Sequence, residues 1–280
     1  MASKYSAQNL NDVSGLVAVV TGGGSGLGRI IAHTLEANGA KVFITGRRQE
    51  KLDEAVKEAT HGNITAIPGS TTSHADIQHA VDVVTKSTGY IDLLICNAGM
   101  STAEKGENPR PKPKSDAPIS EIRDYYFNYR APEVWRETLE TNVAATFTVS
   151  MAFLELLDAG NKRRAKGLPT SQIVAVGSAG DNASKAAVHH LMRNLGNFLV
   201  PHDIRTNVIA PGWFPSEMTT AVSKAFEETD GVMPRTLVPQ QRMGTEEEMA
   251  GTVLYLASKA GGYCNGNIMI IDGGVCQNNA

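Results

Sequence analysis

Short apolar runs alternate with helical segments along most of this chain, and this alternation constrains the fold more than any other feature. Runs of strand length lie at 16–20, 41–45, 64–67, 91–96, 172–177, 205–209 and 268–271. Strands that alternate with helices build βαβ units, and the resulting parallel sheet is covered on both faces. We therefore predict an α/β fold with a Rossmann-type, doubly wound parallel sheet of about seven strands, flanked by helices.

The segments between these runs predict the helices. We expect one from the glycine cluster through Leu35, a polar one at 49–59, and others at about 75–88 and 246–258. Pro132 suits the first turn of a helix and predicts a long helix that runs through Asn142 to about Asp158. A later helix ends before Pro201, and its apolar residues at four-residue spacing predict one buried face.

The chain of 280 residues has no internal repeat and no linker, so we predict one domain over 1–280. Residues 1–13 are expected to be loose. Residues of about 100–131 break the βα rhythm and look like an insertion: a proline-rich basic stretch precedes a short helix that starts near Ser120. This insertion is either a surface loop or a lid over a substrate site.

Composition limits the function classes. A net charge of -3 and a pI of about 6.2 give no basic field for nucleic acid or an acidic membrane. The apolar runs are too short to span a bilayer, and the first residues lack the apolar core of a signal peptide. Cys96, Cys264 and Cys276 have no metal-ligand or disulfide spacing, which favours a reducing compartment, most simply the cytoplasm, and no metal site.

The glycine-rich stretch TGGGSGLG at 21–28 directly follows the first strand and opens a helix. A dinucleotide pyrophosphate needs backbone N–H groups and a helix N-terminus at close range, and side chains would block that approach. Gly22, Gly26 and Gly28 give the spacing G-x-x-x-G-x-G. This position predicts a dinucleotide site, whereas the alternative is a tight turn without a ligand.

The end of the second strand predicts the cofactor. An acidic residue there would accept hydrogen bonds from the adenosine ribose and favour NAD, but Arg47 and Arg48 stand there instead. Arginine offers a charge-assisted fork to a 2′-phosphate, so we predict NADP, with Arg47 as the candidate ligand. The alternative is that both are solvated loop charges, which suits Arg48 best.

With these motifs in place, the chain closely resembles the short-chain dehydrogenase/reductase (SDR) family over about residues 14–275. The matching segments are TGGGSGLG at 21–28, Cys96-Asn97-Ala98-Gly99, Thr141-Asn142-Val143, Ser178, Ala183-Ser184-Lys185, Pro211-Gly212 and Ile271-Asp272-Gly273-Gly274. The loop GWFPSEMT is similar to that of reductases for 3-oxoacyl or polyketide-like substrates. The resemblance implies an NADP-dependent oxidoreductase that interconverts a carbonyl and an alcohol on a small or medium hydrophobic substrate, in secondary or fatty-acid-like metabolism.

The resemblance also implies roles for individual residues. Those that would line the pyrophosphate are Gly22, Ser25, Gly26, Leu27 and Gly28. Those that would pass beside the adenosine ribose are Asn97, Ala98 and Gly99, and Asn97 would also brace the sheet. Those that would lie near the nicotinamide are Pro211, Gly212 and Phe214.

The implied catalytic set is Ser178, Asn142 and Lys185. Ser178 would hydrogen-bond the substrate oxygen, Asn142 would hold a water of the proton relay, and Lys185 would hold the nicotinamide ribose. The alternatives are that Ser178 is a turn residue at the end of a strand, that Asn142 is a polar residue on a helix face, and that Lys185 is a surface lysine. The family also implies a homodimer or homotetramer formed by the helix after Pro132 and the helix of Lys185.

Two positions depart from the family pattern. Ser70 replaces an aspartate that often contacts the adenine. More importantly, Asp181 stands four residues before Lys185, where the family has its catalytic tyrosine, and only two residues separate it from Ser178. Asp181 suits a helix N-cap or an ion pair with Lys185.

Three readings follow from this departure: an active or impaired reductase, an NADP-binding pseudoenzyme, or a gene product that has lost a segment. A tyrosine of the insertion (Tyr125, Tyr126 or Tyr129) is a further candidate for the proton donor. His189 and His190 are read as packing or surface groups.

Overall fold

Seven parallel strands form one sheet in the computed structural model, which describes residues 3–100, 113–114, 116–128, 131–178 and 183–278. The strand order is β3-β2-β1-β4-β5-β6-β7, which confirms the predicted doubly wound sheet. The strands are β1 (Val17–Thr21), β2 (Lys41–Gly46), β3 (Ile64–Pro68), β4 (Leu93–Cys96), β5 (Gln172–Val176), β6 (Arg205–Pro211) and β7 (Ile268–Ile271).

Helices cover both faces of this sheet, as expected for strands with near-continuous apolar sequence. The α-helices of the described residues are α1 (Ala7–Leu10), α2 (Gly26–Ala37), α3 (Gln49–Lys57), α4 (His74–Ser87), α5 (Ile119–Phe127), α6 (Pro132–Leu139), α7 (Ala145–Ala152), α8 (Leu154–Arg163), α9 (Ala183–Leu199), α10 (Thr220–Ala225), α11 (Glu246–Ala257) and α12 (Val275–Asn278). One face of the sheet packs on α2, α3 and α11, and the other on α4, α7, α8 and α9. Successive residues of β1 alternate between the two cores: Ala18 faces the first, Val19 the second.

The prediction of one continuous helix from Pro132 to about Asp158 is wrong. It consists of α6, a π-helical turn over Glu140–Ala144, and α7, and then bends by 47° into α8, which continues to Arg163. The bend lies at Phe153, whose side chain is buried in the second core. The sequence contains no proline or glycine at either break, so side-chain contacts and not backbone chemistry set them.

Two other segments differ from their predictions. The N-terminus was expected to be loose to residue 13, but it contains α1, and Val13 is 3% exposed in the first core. The stretch PGWFPSEMTTAV at 211–222 predicts a loop that precedes any helix, but it contains a 3₁₀ turn, Glu217–Thr219, followed directly by α10. The short helix near Ser120 is present as α5, while residues 101–112, 115 and 129–130 lie outside the described residues.

Within the described residues, no single helix has the length and apolar composition to cross a membrane. Pro132–Ala152 and Leu154–Arg163 meet that test only when they are taken together as a bent pair.

Candidate functional site

The carboxyl ends of the central strands meet at one edge of the sheet, and the sequence motifs follow these ends directly. The glycine loop follows β1, residues 97–100 follow β4, Ser178 follows β5 by two positions, and residues 212–219 follow β6. Ligands of open α/β sheets bind at this edge, where the order of the strands reverses. In this sheet the reversal lies between β1 and β4.

The glycine loop can exist only with glycines at several positions. Gly22 has φ +65°, and a methyl group added to it would lie 3.0 Å from Ala98 Cα. A methyl group on Gly28 would overlap the carbonyl oxygen of Gly22 and the amide of Asn97. Gly26 also has a left-handed φ, +51°. The loop therefore presents bare backbone and the first turn of α2, which fits a pyrophosphate.

Asn97 and Thr21 join the loops that follow β4 and β1. Asn97 Nδ2 donates to Thr21 O at 3.0 Å and to Gly22 O at 3.2 Å. Thr21 Oγ1 accepts the backbone N–H groups of Asn97 and Ala98, both at 3.0 Å. These bonds support the bracing role expected of Asn97 and fix the shape of the glycine loop from the neighbouring strand.

Cys96, the last residue of β4, is closed off from this edge. Its side chain is 5% exposed, and Sγ lies 3.7 Å from Ser150 Oγ of α7. Burial raises the pKa of the thiol to about 12, although the contact with Ser150 acts in the opposite direction. The thiol is therefore protonated and unreactive at neutral pH.

The two arginines after β2 have different surroundings. Arg48 donates from Nη2 to Ser25 Oγ at 3.0 Å and to Glu217 Oε2 at 2.8 Å, and from Nη1 to Glu217 Oε1 at 3.2 Å. Arg47 is exposed and makes no hydrogen bond or ion pair with the residues that the structure describes. The reading of Arg48 as a mere solvated charge is thus wrong: it is the arginine that contacts the glycine loop.

Asn142, Lys185 and Gly99 converge beside the end of β5. A methyl group on Gly99 would lie 3.1 Å from Asn142 Oδ1 and 3.3 Å from Lys185 Nζ. Asn142 is 1% exposed in the π-helical turn; its Oδ1 accepts the N–H of Met100 at 2.9 Å, and its Nδ2 donates to Met100 O at 3.1 Å and to Ser184 Oγ at 3.0 Å. The side chain of Asn142 therefore joins the π-helical turn to the backbone of Met100 and to Ser184. π-Helical turns inside α-helices are frequent at functional sites.

The side chain of Lys185 is hydrogen-bonded to the end of β5. Its Nζ donates to the carbonyl oxygen of Val176, the last residue of β5, at 2.9 Å. Although part of the side chain is accessible, burial of the ammonium group lowers its pKa to about 8. Such a shift is more typical of a functional lysine than of a surface lysine.

The structure describes Ser178 but not Asp181. Ser178 lies two residues after Val176, at the same edge as Lys185, and is partly buried. Asp181 belongs to residues 179–182, which lie outside the described residues, as does Tyr129. The replacement of the expected tyrosine by Asp181 is therefore known from the sequence and not from the structure.

The loop after β6 folds back on the glycine loop. A methyl group on Gly26 would lie 3.3 Å from Ser216 Cβ, and Gly212 packs so closely on Asp272 that its own methyl group would lie 2.7 Å from Asp272 Cα. The ring of Phe214, predicted to lie near a nicotinamide, is 4% exposed and packs in the first core against Gly244. Any contact of Phe214 with a cofactor would have to come from its backbone.

Sequence reasoning missed several residues of this edge. Thr21, Ser184, Ser216 and Glu217 were not predicted, although Thr21 and Ser184 each lie next to a predicted residue and Ser216 lies two residues after Phe214. Of the aromatic candidates, Tyr125 is buried and Tyr126 is half exposed. His189 lies one turn after Lys185, with Nε2 against Gly177 and without a hydrogen-bond partner among the described residues.

The sheet order, the glycine loop and the Asn142–Lys185 cluster define a dinucleotide-binding α/β protein of the oxidoreductase type. A family model described as "short chain dehydrogenase" matches residues 16–227. The chain belongs to the short-chain dehydrogenase/reductase family.

Similar proteins cover nearly the whole chain. It is 46% identical to "Short-chain dehydrogenase/reductase VdtF" of Byssochlamys spectabilis over 299 residues, covering 97% of this chain and 96% of the relative. It is 32% identical over 270 residues to the "Rhamnolipids biosynthesis 3-oxoacyl-[acyl-carrier-protein] reductase" of Pseudomonas aeruginosa, covering 94% of this chain and 96% of that one. The solved structure of the "Pseudomonas aeruginosa RhlG/NADP active-site complex" aligns with a TM-score of 0.77 at 30% identity, covering 95% of this chain and 98% of that chain.

Proposed function

We propose that this chain is an NADP-dependent oxidoreductase that interconverts a carbonyl and an alcohol on a small or medium hydrophobic substrate. The observation that carries this proposal is the convergence of Asn142, Lys185 and Gly99 beside a glycine loop that only bare backbone can form. Family membership supplies the reaction class, since a bound nicotinamide provides hydride transfer and the protein provides position and electrostatics.

In this proposal each predicted residue has one task. Gly22, Ser25, Gly26, Leu27 and Gly28 hold the pyrophosphate, and Ala98 and Gly99 pass beside the adenosine ribose while Asn97 braces the loop. Pro211, Gly212 and the backbone of Phe214 border the nicotinamide. Lys185 holds the nicotinamide ribose, Asn142 orients a water, and Ser178 donates a hydrogen bond to the substrate oxygen.

We propose NADP, and not NAD, as the cofactor. Arg47 is an exposed guanidinium without a described partner at the end of β2, and Arg48 lies beside it. A 2′-phosphate would find a charge-assisted fork there, whereas the ribose hydroxyls of NAD would find no carboxylate at that strand end. The NADP complex of the similar Pseudomonas protein supports the same cofactor.

We propose a substrate of acyl or polyketide type, in secondary or fatty-acid-like metabolism. The name of the Pseudomonas relative describes a 3-oxoacyl substrate. The loop after β6, which resembles that of such reductases, folds over the candidate site through Ser216. The odd number of cysteines supports the further proposal of a cytoplasmic location.

The test is NADPH and NADH binding by calorimetry, followed by turnover with NADPH and a panel of ketones and 3-oxoacyl thioesters. We expect NADPH to bind more tightly than NADH, and at least one 3-oxo substrate to be reduced. Lys185→Met should abolish turnover, because it removes the ammonium group beside Gly99. An absence of binding by both nucleotides would exclude the proposal.

A second candidate function follows from the sequence at Asp181. If no other group supplies the proton, the chain binds NADPH without turnover and acts as a pseudoenzyme, since a missing positioned acid costs about 10²–10⁴-fold in rate. The alignment with VdtF runs over 299 positions against a chain of 280 residues, so that relative has residues that this chain lacks. This supports a shortened gene product as the origin of such a chain.

These alternatives are separated by variants in the same assay. Asp181→Tyr restores the phenol alone, and a longer tyrosine-bearing loop between Ser178 and Lys185 restores phenol and loop together. Activity gained only with the loop points to a lost segment, whereas normal turnover of the original chain removes both alternatives. Sequencing the transcript around Gly180 identifies a gene-model error.

A further inference from the structure

The guanidinium group of Arg48 already binds a carboxylate. A phosphate that approached the same nitrogens would compete with that carboxylate. Its two terminal nitrogens both donate to Glu217, at 2.8 and 3.2 Å, in the fork geometry that arginine also offers to phosphate. The hydrogen bond to Glu217 raises the pKa of Arg48, and the same bond lowers the pKa of Glu217, so both groups are charged at neutral pH. Glu217 lies 169 residues after Arg48, on the loop that follows β6.

Local structure holds Glu217 in place. Ser216 N–H donates to Thr219 Oγ1 at 2.9 Å, and Thr219 Oγ1 donates to Phe214 O at 2.6 Å. The first bond belongs to the cap of the 3₁₀ turn, in which Glu217 is the first residue, and the second ties this turn to the backbone of Phe214. The ring of Phe214 anchors this loop in the first core, so the carboxylate is presented from a defined backbone.

The ion pair also connects the two loops of the candidate cofactor site. Arg48 Nη2 donates to Ser25 Oγ at the N-terminus of α2, while Ser216, next to Glu217, lies against Gly26. Thus Glu217, Arg48 and Ser25 form a chain from the loop after β6 to the glycine loop. We call this set of three residues the Arg48 clasp.

We propose that Glu217 is a specificity-determining residue that competes with the 2′-phosphate of NADP for Arg48, so that the phosphate binds by exchange with this carboxylate and opens the clasp. The proposal rests on the proposed function, because it assumes that NADP binds at this edge. The side chains of Arg48 and Glu217 are 49% and 55% exposed, so exchange requires no unfolding. Arg47 then provides a permanent contact with the phosphate, and Arg48 a conditional one.

Calorimetry of the whole chain with NADPH and with NADH tests this exchange. In Glu217→Gln, the competing charge is lost, and we expect the Kd for NADPH to fall by about two- to fivefold, the range typical of an exposed ion pair, while the Kd for NADH stays unchanged. The gain should shrink at high salt because exposed charges are screened. Asp158→Asn is the control: it removes an exposed ion pair with Lys162 on α8 and should change neither Kd.

A double-mutant cycle shows whether Glu217 acts through Arg48. Arg48→Gln should weaken NADPH binding, and adding Glu217→Gln to it should bring no further gain. A weaker NADPH affinity in Glu217→Gln, an equal change for both nucleotides, or a gain that persists without Arg48 would overturn the proposal. Failure of the original chain to bind either nucleotide would instead overturn the proposed function itself.

Discussion

At the scale of single residues, the buried position of the Lys185 ammonium group opposes stability. Its ammonium group is buried beside Gly99 and bonded to Val176 O, and its pKa is lowered to about 8 from 10.5. Between these two values the unfolded chain binds more protons than the folded chain, so the stability contributed by this site rises with pH. Functional sites often retain such unfavourable groups.

Lys185→Met should therefore stabilise the fold at neutral pH while removing the ammonium group. We expect a gain in unfolding free energy of about 1–3 kcal/mol at pH 7, and the gain should shrink as the pH approaches 10. Urea unfolding at several pH values measures it. Lys162→Met, at an exposed position of α8, should change the free energy by less than about 0.5 kcal/mol. A gain that does not depend on pH would contradict this explanation.

At the scale of elements, Gly160 of α8 packs directly on the backbone that precedes β4. A methyl group there would overlap the carbonyl oxygen of Ile91 and lie 2.9 Å from Ser171 Oγ. Gly251, on the exposed side of α11, is the opposite case, because its methyl group would meet nothing within 4 Å. Both residues are helical glycines, but close packing requires a glycine only at position 160.

Gly160→Ala and Gly251→Ala should consequently change stability in opposite directions. We expect Gly160→Ala to cost about 1–3 kcal/mol through overpacking, and Gly251→Ala to stabilise by about 0.5–1 kcal/mol through helix propensity. Denaturant midpoints of the two variants measure both effects. The same sign for both would show that contact with Ile91 does not decide the role of Gly160.

These elements also show how far the sequence can be read. The parallel strands and the glycine loop were predictable because their signals, apolar runs and glycine spacing, are local in the chain. The break of the helix after Pro132 was not, since it depends on Asn142 contacting Met100 and on Phe153 reaching the second core. The bond between Arg48 and Glu217 spans 169 residues and has no local signal at all.

At the scale of the whole molecule, large apolar side chains are exposed on α6, α7 and α9, the helices on which the sequence resemblance predicts assembly. Trp135, Leu139 and Phe147 of α6 and α7 are 43%, 42% and 44% exposed, and Phe198 of α9 is 66% exposed. Trp135 and Leu139 lie one turn apart on α6 and so share a face, and neighbouring exposed apolar side chains of this kind typically mark a protein–protein contact. It supports the proposal of a homodimer or homotetramer built on α6, α7 and α9.

Phe147→Glu should weaken this assembly. A buried charge without a partner would be repeated on every copy of a symmetric interface, so we expect a shift toward monomer in size-exclusion chromatography with light scattering. Leu168→Glu, at an equally exposed apolar residue outside these helices, should leave the mass unchanged. A monomeric original chain, or an unchanged mass in Phe147→Glu, would exclude this surface as the interface.

The sealed position of Cys96 has a practical consequence for anyone who labels this protein. Alkylating reagents will modify Cys264 and Cys276, which are partly accessible, and leave Cys96 intact as long as the sheet holds together. Although Cys96 is the immediate neighbour of Asn97, its modification is therefore no indicator of whether the candidate site is occupied. A carbamidomethyl group found on Cys96 records a molecule whose central strands had already separated.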